Sequence, residues 1–219
     1  MKKTYIFGTN SLAEMMQFYL QESGIPVSGF TLNKEFIGEE LQQSGKVFAI
    51  EELLDQYPPQ ELYIYVTIAY KEMNQIRKTV FSFLKDRGVN ICSYIHPSAV
   101  IAKNVILGEG NIVLERTVLQ PFSELGDGNI LWSNVNISHH DKIGDFNYFS
   151  PGSTIAGRVE IGNLNFFGAN CTVSNDVCIS ERCLIGAGAY LKQNMQPERV
   201  YVPNPGMLLH KNSLDINLK

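Results

Sequence analysis

From Ile95 onward, apolar residues return at every sixth position of the chain. The repeated positions are Ile95, Ile101, Leu107, Val113, Leu119, Leu125, Leu131, Ile137, Ile143, Phe149, Ile155, Ile161, Phe167, Val173, Ile179, Ile185 and Leu191. A period of six fits neither a helix nor a simple alternating strand. Each unit must therefore be a short strand followed by a corner, with the repeated side chain pointing inward. The pattern predicts a repeat structure over about half of the chain.

A slower period of 18 residues shows how many units form one turn. An apolar-Gly pair followed by Asn recurs as Leu107-Gly108 with Asn111, Leu125-Gly126 with Asn129, Ile143-Gly144 with Asn147, and Ile161-Gly162 with Asn165. Three hexapeptides therefore form one coil. We expect the four asparagines to stack as a ladder, with side-chain amides bonded along the axis, and we expect Asn and Gly to supply the backbone geometry of the corner.

Small residues recur four positions after the repeated apolar residue, and two of the four cysteines, Cys171 and Cys183, are among them. We interpret both as small packing residues rather than catalytic thiols. The other two cysteines are Cys92 and Cys178, and no pair has the CxxC spacing. The sequence therefore predicts neither a zinc site nor a disulfide scaffold, and no metal is expected.

The first ninety residues alternate short apolar runs with helical patterns, which is typical of a parallel α/β layer. The predicted strands are Thr4 to Gly8, Val27 to Thr31, Val47 to Ile50, Glu61 to Thr67 and Asn90 to Ile95, and the predicted helices are Ser11 to Ser23 and Lys71 to Arg87, the latter closed by Gly88.

The turn after the first strand, Gly8-Thr9-Asn10-Ser11, has two interpretations. Backbone N–H groups at the start of the following helix can bind a phosphate. Alternatively, Asn10 or Ser11 simply caps the helix. The turn has one glycine rather than the three of the dinucleotide fingerprint, so NAD binding is poorly supported.

Charge and hydropathy exclude several classes of partner. The charged fraction is 18% and the net charge is −4, so the chain lacks the basic character of nucleic-acid-binding proteins and of polybasic membrane anchors. No stretch approaches 18 apolar residues, so no membrane insertion is expected. The N-terminus lacks the apolar region of a signal peptide, and the expected location is the cytoplasm, where thiols stay reduced.

The hexapeptide pattern, together with several motifs, resembles the left-handed parallel β-helix acyltransferases. Over nearly its full length, the chain is similar to the NeuD-type sugar O-acyltransferases, a group that includes nucleotide-sugar N-acetyltransferases. The matching segments are Tyr94-Ile95-His96-Pro97-Ser98-Ala99, Ile137-Ser138-His139-His140-Asp141-Lys142-Ile143-Gly144-Asp145, Ser150-Pro151-Gly152, Ile155-Ala156-Gly157, Ile185-Gly186-Ala187-Gly188-Ala189 and Asn204-Pro205. The resemblance implies a small Rossmann-like substrate-binding domain over 1–93, the β-helix over 94–196 and a tail over 197–219.

The resemblance also implies the roles of individual residues at an active site. His139 takes the position of the general base, a task that suits an imidazole. Relatives often carry Glu or Asp next, where this chain has His140, so a helping carboxylate comes from Asp141 or is absent, and His140 is either a helper or a substrate contact. The N–H of Gly157 would bind the oxyanion.

The cofactor and acceptor contacts are likewise taken from the family. Acetyl-CoA is expected in a groove between subunits of a homotrimer, in contact with Tyr148, Ala169 and Ala187. Gly8, Asn10, Ser11 and Asn33 are the candidate contacts to a sugar or nucleotide-sugar substrate. Two of these regions depart from the family pattern, since the first turn has few glycines and Leu32-Asn33 replaces an Asp pair of uridine-nucleotide binders.

These observations predict an acetyl-CoA-dependent sugar acetyltransferase. N-acetylation of a nucleotide-linked amino sugar for surface glycan or lipopolysaccharide synthesis is the first hypothesis, and O-acetylation of a sialic-acid-type sugar is the second. A non-catalytic β-helix scaffold is the alternative from another class. Trp132, seven residues before His139, is a candidate for the floor of the acceptor pocket or for a packed surface aromatic.

Overall fold

The computed structural model describes residues 2–43 and 45–204, and in these the chain builds a parallel sheet followed by a stack of short strands. The sheet contains β1 (Lys3–Phe7), β2 (Gly29–Leu32), β3 (Val47–Ala49), β4 (Leu62–Val66) and β5 (Asn90–Ile91). All its pairings are parallel, in the order β3-β2-β1-β4-β5. The five predicted strands are thus confirmed, with shifts at their ends.

Four helices accompany this sheet in the described residues, and two were predicted. They are α1 (Ser11–Glu22), α2 (Glu39–Gln43), α3 (Ile50–Gln56) and α4 (Gln75–Lys85), with short 3-10 turns at Lys34–Phe36 and Pro59–Glu61. The sequence analysis missed α2 and α3, which are too short to show a clear apolar period. Ile50, expected to end a strand, instead begins α3, where it is buried.

Two predicted elements end differently in the structure. The expected strand from Asn90 to Ile95 is two strands, because Asn90–Ile91 pairs with β4 whereas Tyr94–Ile95 already belongs to the stack. The expected helix from Lys71 begins only at Gln75. The residues before it, Glu72, Met73 and Asn74, have left-handed backbones that a helix cannot include.

From Tyr94 the chain winds as a parallel β-helix with three faces. The first face contains Tyr94–Ile95, Ile112–Val113, Ile130–Leu131, Tyr148–Phe149, Phe166–Phe167, Leu184–Ile185 and Val200–Tyr201. The second contains Val100–Ile101, Val118–Leu119, Asn136–Ile137, Thr154–Ile155, Thr172–Val173 and Tyr190–Leu191. The third contains Ile106–Leu107, Glu124–Leu125, Lys142–Ile143, Glu160–Ile161 and Cys178–Ile179. This arrangement fits the predicted left-handed β-helix.

The repeated apolar side chains form the core of the β-helix, as the period of six predicted. They are buried from Val113 to Leu191, and the small residues Cys171 and Cys183 are buried among them. The first coil is different, since Ile95 is 44% exposed and Ile101 and Leu107 are half-buried. Among the described residues, no coil lies beneath these three side chains. Val200–Tyr201 adds a strand to the first face within the segment expected to be a tail, whose residues from 205 onward lie outside the described part.

The asparagine ladder is confirmed. The corner after the third face, called the asparagine corner (108–111, 126–129, 144–147 and 162–165), stacks four buried asparagines. The Oδ1 of Asn111 accepts the backbone N–H of Asn129 at 2.8 Å, and the bond repeats from Asn129 to Asn147 and from Asn147 to Asn165. The amides therefore bond along the axis to backbone groups of the next coil.

At this corner, neither the ladder asparagines nor the glycines that follow the apolar residues have the expected left-handed backbone. The left-handed position is the residue just before each ladder asparagine, for example Gly110 or Phe146. The glycine that follows the apolar residue serves close packing instead. A Cβ on Gly126 would lie 3.1 Å from the carbonyl carbon of Gly144 and even closer to Asp145 Oδ1, so a side chain there would force successive coils apart.

Helix α4 lies along the asparagine corner and joins the sheet unit to the β-helix. Asn74, just before α4, donates its Nδ2 to the carbonyl of Asn165, and Lys85 at its end forms an ion pair with Glu109. Between them Phe81 packs edge-to-face on Phe146. A helical turn rises about 5.4 Å and neighbouring coils lie about 4.8 Å apart, so each turn of α4 meets about one coil.

Candidate active site

The corner after the second face, called the histidine corner (120–123, 138–141, 156–159 and 174–177), carries His139 and His140. Both side chains are exposed, and their Nδ1 atoms lie 3.1 Å apart. The rings are nearly perpendicular, at an interplanar angle of 84°. One of the two Nδ1 atoms must carry a proton that the other accepts. The Nε2 atom of His139 does not take part in this contact, and it can accept a proton when the Nδ1 of His139 is the donor.

The His139 ring lies against Gly157, which occupies the same corner position one coil further. A Cβ on Gly157 would lie 2.6 Å from Cε1 and 2.8 Å from Nε2 of His139. Only glycine therefore leaves room for the imidazole. The backbone N–H of Gly157 has no hydrogen-bond partner among the described residues, whereas its carbonyl accepts the N–H of Asp176. A free donor and a free imidazole nitrogen thus lie beside one another.

The backbone of His140 has a left-handed conformation, with φ of 62°. Its ring stacks on that of Phe122, with centroids 4.7 Å apart and an interplanar angle of 27°. Phe122 occupies the same corner position one coil earlier and is 59% exposed. The sequence analysis missed Phe122, although the period of 18 residues could have connected it with His140.

Asp141, the expected source of a helping carboxylate, points into the β-helix instead. Its side chain is fully buried, and Oδ1 accepts the backbone N–H of Val159 at 2.9 Å. Its Oδ2 has no hydrogen-bond partner in the part of the chain that the structure describes. Burial raises the pKa of this carboxyl to about 7, partly offset by the Val159 N–H. Within the described chain no hydrogen bond joins Asp141 to either imidazole, so the ring neighbour of His139 is His140.

The expected cofactor contacts Ala169 and Ala187 lie on the corner after the first face, called the alanine corner (114–117, 132–135, 150–153, 168–171 and 186–189). They are stacked on successive coils, and neither backbone N–H has a partner in the described part of the chain. Strands of the second face separate this corner from the histidine corner. The structure therefore places His139 and the two alanines at opposite edges of one face.

Tyr148, the third expected cofactor contact, lies on the first face beneath the sheet unit. It lines a cavity of about 450 Å³ between the two units, together with Asn10, Ser11, Leu12, Ala69, Tyr70, Lys71 and Trp132. The Tyr148 ring stacks on Phe166 with centroids 5.4 Å apart and meets Tyr70 edge-on at 5.0 Å. Burial raises the pKa of Tyr148 to about 12, so its hydroxyl stays protonated. Neither Tyr70 nor Lys71 was singled out from the sequence.

Asn10 is the N-cap of α1, which fits the structural interpretation of this turn. Its Oδ1 accepts the N–H of Ala13 at 3.0 Å, and its Nδ2 donates to the carbonyl of Thr67. The N–H groups of Ser11 and Leu12 have no partners within the described residues and are the donors left for an anion. The cap interpretation of the turn is thus confirmed, and phosphate binding there stays a prediction.

The remaining two candidates for substrate binding lie elsewhere. Gly8 allows a close approach of strands, since a Cβ there would lie 2.5 Å from Thr67 Oγ1. Asn33 donates its Nδ2 to Glu51 and lines a separate cavity of about 390 Å³ with Phe36 and Phe83. The structure therefore brings Asn10 and Ser11 together with Tyr148, but not with Asn33.

Within the described residues, no three His, Cys, Asp or Glu side chains converge as a metal-binding group. No helix in that part of the chain is long and apolar enough to cross a membrane.

The fold has close counterparts among solved structures. The acetyltransferase domain of PglB from Neisseria gonorrhoeae FA1090, in complex with acetyl coenzyme A, matches with a TM-score of 0.79, 21% identity, 95% of this chain and 99% of that chain. A variant of GDP-perosamine N-acetyl transferase from Caulobacter crescentus, in complex with CoA and GDP-perosamine, matches with a TM-score of 0.80 and 22% identity. The match covers 93% of this chain and 94% of that chain. WeeI from Acinetobacter baumannii AYE matches with a TM-score of 0.77 and 18% identity, over 95% of this chain and 100% of that chain. The chain has the fold of these acetyltransferases.

Comparison by sequence adds no relative. No family model matches the chain, and no curated protein matches it. The predicted β-helix is thus confirmed by its structural counterparts.

Proposed function

We propose that this protein is an acetyltransferase that uses acetyl-CoA to N-acetylate an amino sugar carried on a nucleotide. The observation that carries the proposal is the placement of the His139 imidazole directly against Gly157, whose backbone N–H is unpaired in the described chain. Acyl transfer to an amine requires a base and a donor for the oxyanion. These two groups provide both on successive coils.

His139 acts as the general base in this proposal. Acetyl-CoA supplies the acetyl group as a reactive thioester. The Nε2 of neutral His139 would take the proton that the amine loses as it attacks, and the N–H of Gly157 would donate a hydrogen bond to the carbonyl oxygen as negative charge develops there. As the new C–N bond replaces the C–S bond of the thioester, CoA would leave as a thiolate and take up the proton held by His139, which returns to its neutral form. We assign His140 as the helper: its Nδ1 lies 3.1 Å from the Nδ1 of His139, and when it accepts the Nδ1–H of His139 it keeps Nε2 of His139 free.

The cavity between the sheet unit and the β-helix fits the sugar nucleotide. It lies beyond the carboxyl ends of β1 and β4, where the order of strands reverses and ligands of open parallel sheets bind. The free N–H groups of Ser11 and Leu12 and the ammonium of Lys71 suit the diphosphate. Trp132 and Tyr148 offer aromatic surface to a sugar ring. We assign Tyr148 to this acceptor side, beside Asn10 and Ser11. The neighbour that holds GDP-perosamine supports this ligand class.

The alanine corner suits the cofactor. Ala169 and Ala187 present unpaired backbone N–H groups on successive coils, which can bind the amide carbonyls of an extended pantetheine arm. A second copy of the chain must bring its alanine corner to the histidine corner, because one copy holds the two at opposite edges of the second face. This requirement supports a homotrimer with shared sites. Light scattering that showed a monomer in active preparations would contradict it.

We infer a Rossmann-like substrate-binding role for the sheet unit and a place for the enzyme in the cytoplasm, in the synthesis of surface glycans such as lipopolysaccharide. The free thiols of the described cysteines are consistent with a reducing compartment.

The test is a CoA-release assay with acetyl-CoA and a panel of acceptors. The panel contains nucleotide-linked amino sugars, the same nucleotides linked to sugars without an amino group, and free sialic-acid-type sugars. We expect activity only with the amino sugars, and a loss of about 10² to 10⁴ in kcat for His139→Ala. Activity with the sialic-type sugars would indicate O-acetylation instead. No release with any acceptor, and no rise of the melting temperature with millimolar acetyl-CoA, would indicate a scaffold.

A further inference from the structure

Arg77 is an unusual residue of α4, because its charged side chain is almost fully buried, at 1% exposure. All five guanidinium N–H groups donate to backbone carbonyls. Nε donates to Gly128 at 2.8 Å, Nη1 donates to Ile68 and Ala69, and Nη2 donates to Phe146 and Asn147 at 2.9 and 3.2 Å. Two of the acceptors, those of Ile68 and Ala69, belong to the sheet unit, and the other three belong to the β-helix.

Burial of this cation is costly. Within the described residues no carboxylate forms an ion pair with Arg77, and burial lowers its pKa to about 9. An apolar side chain would avoid that cost. The planar guanidinium offers something that an apolar residue cannot, namely five donors in one rigid plane.

The acceptors of Arg77 adjoin the two walls of the cavity described above. Ala69 lines the cavity, and the next residues along the chain, Tyr70 and Lys71, complete that wall. On the other side, Phe146 and Asn147 immediately precede Tyr148, which forms the facing wall. One guanidinium thus ties together the backbones that carry Tyr70 and Tyr148, whose rings meet at 5.0 Å.

We propose that Arg77 is a positioning residue that fixes the distance between the two walls of this cavity and so sets its affinity for the acceptor. That the acceptor occupies this cavity rests on the proposed function, whereas the contacts of Arg77 with the two walls do not depend on it. Loss of Arg77 is expected to loosen the cavity while the histidine corner, on another edge of the β-helix, keeps its arrangement.

The first test needs no substrate. Trp132 is the single tryptophan and lines the cavity, so its quenching by acrylamide reports how open the cavity is. We expect the quenching constant to rise about twofold in Arg77→Met, with Arg77→Lys between it and the wild type, because lysine offers three donors for the five carbonyls. Arg87→Met is the control, since Arg87 lies just beyond the same helix and its guanidinium covers the exposed side of Phe83. Unchanged quenching in folded Arg77→Met would overturn the proposal.

The second test uses steady-state kinetics with an acceptor found in the activity screen. For Arg77→Met we expect the KM of the acceptor to rise at least tenfold, while the KM of acetyl-CoA stays within about twofold, and for Arg77→Lys we expect partial recovery. Equal changes in both KM values would overturn the proposal. If both variants fail to fold, as judged by circular dichroism, Arg77 serves stability alone and the proposal is wrong. If the wild type acetylates no acceptor, the proposed function fails, and the quenching result alone decides the role of Arg77.

Discussion

The Nδ1 atoms of His139 and His140 lie 3.1 Å apart at one corner of the β-helix. Two imidazoles can share this contact only if one Nδ1 is protonated and the other is bare. When His139 donates, its Nε2 keeps a lone pair that can accept a proton, and His140 carries its own proton on Nε2. In the proposed mechanism, His140 thereby does for His139 what a carboxylate does in many general-base pairs. The stack on Phe122 holds the second ring in place.

Substitution of His140 by Asn should preserve activity, whereas substitution by Gly should not. Both residues accept the left-handed backbone at this corner, where φ is 62°. Only Asn offers an oxygen near the position of Nδ1, which can accept the Nδ1–H of His139. We expect kcat of His140→Asn to stay within about fivefold of the wild type. For His140→Gly we expect kcat to fall about 10- to 100-fold, because loss of the helper removes part of the rate enhancement that a general base supplies.

Arg158→Gly is the matched control for this pair. Arg158 has the same left-handed position one coil further, with φ of 61°, and its side chain contacts Asp176 rather than a histidine. We expect wild-type kinetics from it. Equal activity of His140→Asn and His140→Gly across the pH range would contradict a helper role and leave His140 as a substrate contact.

Gly157→Ala should displace the His139 ring. The added Cβ would lie 2.6 Å from Cε1 of His139, and the backbone of Gly157 needs no left-handed conformation, so the imidazole must move. A displacement of about 1 Å at a reacting group can cost about 100-fold. We expect a fall of that size in kcat, with little change in melting temperature because the His139 ring is exposed. Gly38→Ala, where a Cβ meets open space, is the control.

The sequence predicted the β-helix well because its core depends on a strict period. Every coil must present an inward apolar residue, so the positions from Val113 to Leu191 could be read directly from the pattern. The resemblance pointed to His139 and Gly157, and the period of 18 residues placed them on one corner of successive coils. Their contact follows from the stacking of coils.

The parts that the sequence did not predict depend on contacts between units. The roles of Tyr70, Lys71 and Arg77 appear only when α4 is placed along the asparagine corner, and no local pattern encodes that docking. Asp141 lies four positions after Ile137, which is the inward position that small residues occupy on the other coils, and its carboxyl is buried there. The choice of Asp141 as a partner of His139 followed chain proximity and disregarded this register.

Asp141 should make the stability of the protein depend on pH. Its folded pKa of about 7 lies above the ordinary value of 3.8, so the folded state binds the proton more tightly than the unfolded state. The free energy of unfolding should therefore fall as the pH rises from about 4 to 7, by at most about 4 kcal/mol at about 1.4 kcal/mol per pKa unit. Asp141→Asn removes this loss and can still accept the Val159 N–H. In thermal unfolding, the melting temperature of Asp141→Asn relative to that of the wild type should rise between pH 5 and pH 8.

Asp145→Asn is the control for that experiment. Asp145 also accepts a backbone N–H of another coil, that of Asp127, but its side chain is partly exposed. We expect the melting temperatures of this variant and the wild type to change in parallel with pH. A difference between Asp141→Asn and the wild type that stays constant from pH 5 to pH 8 would show that the buried carboxyl does not titrate in this range.

The asparagine ladder allows a graded test of its contribution to stability. Asn129 accepts the N–H of Asn147 and donates to the carbonyls of Gly126 and Gly144. Asn165 accepts the N–H of Cys183, while its Nδ2 has no partner. Both side chains are fully buried, so replacement by Ala leaves a similar cavity in each case.

The two variants therefore differ mainly in the backbone groups that they leave unpaired. Asn129→Ala deprives the Asn147 N–H and the Gly144 carbonyl of their partners, whereas Asn165→Ala deprives only the Cys183 N–H. Each buried unpaired group costs about 1–3 kcal/mol, and loss of the unsatisfied Nδ2 of Asn165 offsets part of that cost. We expect chemical denaturation to show that Asn129→Ala is destabilised more than Asn165→Ala by about 1–3 kcal/mol. The reverse order would mean that the ladder acts through the shape of its side chains rather than through these hydrogen bonds.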